Sequence, residues 1–79
     1  MGILTITAEA PGGADIRDCS RDAVRLAGLM GVGVRFSFNG VCCMARPGDD
    51  PALLADDYMR ALHSQSDIKI AYAYRGDDA

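Results

Sequence analysis

Asn39-Gly40, set between the alternating runs VGVRFSF and VCCMAR, restricts this chain more than any other feature. Both residues accept the positive φ of a two-residue type I′ turn, so the flanking runs form a tight β-hairpin. A two-residue loop also fixes the register: Phe38 opposes Val41, Phe36 opposes Cys43 and Val34 opposes Ala45 on one face. Gly33, Arg35, Ser37, Cys42, Met44 and Arg46 fall on the other. Seventy-nine residues build one core and no second, and a hydrophobic share of 49% argues against disorder. Glycine and alanine supply much of that share, so the expected core is small.

The remaining elements follow from period and punctuation. Residues 2–8 alternate as a strand, with Leu4, Ile6 and Ala8 toward the core. EAPGGA, residues 9–14, breaks regular structure; it lacks the G-x-x-x-x-G-K-[ST] pattern, and Asp15 and Asp18 would repel phosphate. Residues 15–30 form a helix capped by Asp15 and ended by Gly31. Its apolar arc is Ile16, Cys19, Ala23, Leu26, Ala27 and Met30; Arg17, Arg21 and Arg25 run opposite, interleaved with Asp18 and Asp22 as a solvated ion-pair pattern.

Pro47-Gly48 turns the chain after the hairpin, and Asp50-Pro51 starts a second helix with Asp50 as cap. Leu54, Ala55, Tyr58, Met59, Ala61 and Leu62 take its core side, and Asp56, Asp57, Arg60 and His63 face away. Residues 64–67 are a polar loop. IKIAYAY alternates as a last strand, with Ile68, Ile70, Tyr72 and Tyr74 toward the core. The expected architecture is therefore α+β, a β-α-β-β-α-β open-faced sandwich: a ferredoxin-like four-stranded antiparallel sheet with both helices on one face. One domain covers residues 1–74, and residues 75–79 are a frayed tail. The nearest rival has the same element order with different strand neighbours.

The chemistry expected from these residues is sparse. Three cysteines without metal-ligand spacing, two of them adjacent and pointing to opposite faces of one strand, give neither a disulfide framework nor a metal site. His63 is the one histidine and lies near a helix end, so no catalytic residue, cofactor or metal is expected. A net charge of −3, a pI near 4.7 and a single lysine disfavour direct nucleic-acid binding. An RNA-binding sheet of this element order would need aromatics at Thr5, Thr7, Cys42 and Met44, and none is aromatic. No run reaches the roughly 18 apolar residues of a membrane span and no secretion signal is present, so a soluble, cytoplasmic protein is expected.

Asp49, Asp50, Asp56 and Asp57 are the candidate binding residues, a negative corner able to engage an Arg/Lys-rich surface on a larger protein or ribonucleoprotein complex. The segment FNGVCCMARPGDDPALLADDYMRAL, with the small acidic chain around it, resembles short phage- and prophage-encoded anti-CRISPR proteins that inhibit type I systems. That resemblance implies a non-enzymatic inhibitor acting in the host bacterial cytosol, which binds a surveillance complex and blocks its basic DNA-binding surface. The alternative is a small-molecule-binding or regulatory homodimer that uses the open sheet face, with Cys42 and Met44 as its seam.

Overall fold

A computed structural model describes residues 4–73; Tyr74 and the expected frayed tail, 75–79, lie outside the described residues. The elements are β1 (Thr5–Glu9), α1 (Ile16–Met30), β2 (Gly33–Phe38), β3 (Val41–Ala45), α2 (Pro51–Leu62) and β4 (Ile70–Tyr72), in the order the pattern predicts. Local signals act where expected. Asn39 and Gly40 take φ of 50° and 81°, and all three predicted hairpin pairs are in register. The Asp15 carboxylate accepts the Arg17 N–H at 2.8 Å, and that of Asp50 accepts the Ala52 N–H at 2.9 Å. Gly31, at φ 69°, closes α1 by donating its N–H to the Ala27 carbonyl at 2.8 Å.

The strand neighbours differ from expectation. β1 pairs parallel with β2, β2 antiparallel with β3, and β3 parallel with β4, in the spatial order β1-β2-β3-β4. The sheet is thus mixed, with two of three pairings parallel, and the antiparallel ferredoxin-like arrangement is corrected. Each crossover returns the chain to an adjacent strand instead of skipping one. Element order and loop length do not distinguish these topologies; the contacts that seat β4 beside β3 do.

Both helices pack on the face that carries Val34, Phe36, Val41 and Cys43. The two β-α-β units advance in one direction across the sheet, but strand direction reverses at the hairpin, so their crossovers have opposite hands. Phe36 points at the helices while its backbone bonds β3, which for L-residues makes β1-α1-β2 right-handed. β3-α2-β4 is therefore left-handed, the uncommon sense.

The core joins those hairpin residues to Ala23 and Ala27 of α1, Leu54, Tyr58 and Ala61 of α2, and Ala71 and Ala73. Phe38 meets Tyr58 edge-on with ring centroids 5.3 Å apart, and Asn39 Nδ2 donates to the Tyr58 hydroxyl at 3.0 Å, so α2 is tied to the hairpin turn. Here β4 corrects the sequence reading: Ala71 and Ala73 are buried, whereas Ile70 and Tyr72 are 36% and 41% exposed. Two alanines let α2 close on the strand, which bulky side chains on that face would prevent. Ser20 is also buried, while Met30 and Met59, assigned to the core side by periodicity, are exposed.

Candidate interaction surfaces

The four aspartates of the predicted corner have separate local roles. The Asp49 carboxylate folds back to accept the Arg46 N–H at 2.8 Å, with the Arg46 Nε 3.8 Å away. Asp50 is occupied as the α2 cap. Asp56 is exposed and makes no hydrogen bond or ion pair among the described residues. Asp57, expected to face away from the core, is buried at 8% exposure: it accepts from Arg60 Nε at 2.7 Å, Arg60 Nη2 at 3.2 Å and the Tyr72 N–H at 2.9 Å.

Asp50 and Asp56 do share a groove of about 290 Å³, but Arg17 and Arg21 line it with them. Asp57 lies on the β4 side, where it lines a shallow cleft with Leu53, Asp56, Tyr72 and Ala73. The single negative corner is thus divided between a groove of mixed charge and a buried clamp. Helical spacing put Asp57 on the outer side of α2 because it could not include β4, which covers that side.

The face of the sheet opposite the helices is uncovered among the described residues. Register aligns Thr7, Arg35, Met44 and Tyr72 in one row across all four strands, and Ser37, Cys42 and Ile70 in the next. Arg35 Nη2 donates to Thr7 Oγ1 at 3.4 Å along the row. The inversion of β4 brings Ile70 and Tyr72 to this face, next to Cys42 and Met44. Sequence reading missed both. The available signal was that IKIAYAY alternates bulky side chains with alanines, and only alanines fit beneath the Ala-rich α2.

The cysteine geometry limits thiol chemistry. Cys42 and Cys43 point to opposite faces, and burial pushes the Cys43 thiol up to about 12. Partial burial, then Asp22, Asp18 and Asp15, raises the Cys19 thiol as well. Both are protonated near neutrality and so are weak nucleophiles. Among the described residues, no group of three or more His, Cys, Asp and Glu could hold a metal ion, and no helix is long and apolar enough to cross a membrane. Comparison with protein-family models, curated proteins and solved structures returns no match.

Proposed function

We propose that this chain is a non-enzymatic binding protein whose docking surface is the open sheet face. The observation that carries the reading is the inverted final strand, which sets Ile70 and Tyr72 in register with Cys42 and Met44 and doubles the apolar seam to four side chains. Such a seam, edged by Arg35, suits burial against a protein surface: apolar area supplies the affinity and the charge orients the encounter. A second copy of the chain is the first partner to test. Light scattering across a concentration series should show a dimer that the double variant Met44→Lys/Tyr72→Lys converts to monomer. A wild-type chain that stays monomeric, with the variant unchanged in capture of any partner, would defeat this reading.

A second reading keeps the inhibitor implied by the anti-CRISPR resemblance. Its support is Asp56, exposed and unpaired among the described residues, beside Leu53, itself 51% exposed. A carboxylate next to an exposed leucine can cover a basic groove meant for DNA. The test is co-purification with a type I effector complex at low salt. Asp56→Lys should weaken it and Asp49→Ala should not; no complex at all would dismiss the inhibitor.

A further inference from the structure

The two edges of the sheet are not equivalent, and the β1 edge points to a peptide site independent of the open-face reading. The hairpin turn makes Phe38 and Val41 a hydrogen-bonded pair, so Val34, Phe36 and Phe38 bond β3 and Gly33, Arg35 and Ser37 bond β1. In a parallel ladder a residue bonds the two that flank its partner. Arg35, opposite Thr7, therefore takes Ile6 and Ala8, and Thr5, Thr7 and Glu9 direct their N–H and C=O groups outward. Among the described residues nothing takes those groups.

Beside this edge, between β1 and α1, lies an apolar cavity of about 120 Å³. Ala8, Cys19, Ala23, Leu26 and Phe36 are among its walls, Asp22 of α1 also lines it, and Glu9 contributes to it from the strand while its side chain lies on the open face by alternation. Asp22 shares its charge with Arg25, 3.6 Å away on the surface, whereas Glu9 has no ion-pair partner among the described residues. Strand addition uses this combination: main-chain bonds supply affinity, and a pocket for alternate side chains supplies selectivity.

We propose that the β1 edge and the cavity together bind an extended segment of another protein in which apolar and basic residues alternate. Alternation follows from the pleat. Side chains on the helix side of the added strand meet the cavity, which admits one of valine size, and those on the open side lie opposite Glu9, where a cation is favoured. A second copy of β1 fits less well, since ITAE brings no positive charge to Glu9.

The probe is an acetylated pentapeptide, Lys-Val-Lys-Val-Lys, titrated into the isotope-labelled chain while backbone amide shifts are followed. Saturable shifts should centre on Thr5, Thr7, Glu9, Cys19 and Ala23, and Glu-Val-Glu-Val-Glu should produce none. Glu9→Lys should weaken the basic peptide by at least about fivefold and admit the acidic one. Thr7→Pro should abolish binding, because its outward N–H is the one lost. Cys19→Leu, at a partly exposed helix position, should do so by filling the cavity, and it carries the test if the proline variant does not fold. The proposal is overturned by the absence of saturation at millimolar peptide or by equal response to both peptides. Shifts of the same amides with protein concentration alone would overturn it too, since a second copy would then hold the edge.

Discussion

β1 and β4 close the two sides of one sheet in contrasting ways. At β4 two of the outward groups are occupied by side chains of α2: Asp57 accepts the Tyr72 N–H at 2.9 Å, and Arg60 Nη2 donates to the Ile70 carbonyl at 3.2 Å. The hydrogen bonds that Arg60 donates to Asp57 also raise its guanidinium above its ordinary value. Two side chains three residues apart on α2 thus take the place of a further strand. At β1 no helix side chain performs this service among the described residues, and a cavity separates the strand from α1. An edge strand left open templates pairing with another chain, and natural sheets usually block it. Among the described residues, helix side chains thus cover part of one edge and leave the other uncovered.

The largest effect should come from the clamp. Asp57→Ala leaves Arg60 without its main partner and the Tyr72 N–H without an acceptor, so denaturant unfolding should show a loss of about 3 kcal/mol. In the wild-type chain the Tyr72 amide should exchange with solvent far more slowly than those of Thr7 and Glu9. Equal exchange at the two edges would remove the distinction between them.

Next is the alkaline response of the strand that joins the two halves. Cys43 titrates near 9 when unfolded and at about 12 when folded, so above pH 9 the unfolded chain binds fewer protons than the native one. The stability this thiol contributes is complete below pH 9 and is lost as pH rises toward 12, at up to about 1.4 kcal/mol per pH unit. Cys43→Ala should flatten that part of the curve in pH-dependent unfolding, whatever its effect on stability at neutrality.

Smaller effects separate the side chains that hold β4 from those that merely resemble them in sequence. Lys69 donates through Nζ to the carbonyls of Ala61, Leu62 and Ser64, closing the end of α2 and setting where β4 begins. Lys69→Met should lower stability by about 1 kcal/mol in thermal unfolding. Asp50→Ala, which removes the α2 cap, should cost about the same, and Asp56→Ala less than about 0.5 kcal/mol, although the two lie six positions apart on one acidic segment. If Asp56 matters as much as Asp50, the groove it shares with Arg17 and Arg21 is a structural contact and not a free surface.

Much of this fold is legible one element at a time. Asn39-Gly40 dictates a type I′ turn because few residue pairs tolerate two successive positive φ values, and the register of β2 and β3 follows from loop length. Asp15, Gly31, Asp50 and Pro51 mark helix ends because each meets a backbone need arising within a turn of its own position. Side-chain direction on β4 was misread because bulk favoured Ile70 and Tyr72 for the core, and the alternation of bulky side chains with alanines acquires its sign only from α2 lying close over that strand. The role of Asp57 was hidden for a related reason: what makes it a buried acceptor is the N–H of Tyr72, fifteen residues later.

Everything settled by neighbours within about four residues, the hairpin, the caps and the order of strands and helices, was determined in the sequence, because turn dihedrals and helix-end hydrogen bonds are local. The strand order, the left-handed second crossover, the burial of Asp57, the emergence of Ile70 and Tyr72 on the open face and an edge of β1 left uncovered among the described residues were decided only by tertiary packing. Each depends on which distant backbone groups and apolar faces find one another. Local pattern does not encode that choice; the clamp from α2 to β4 does.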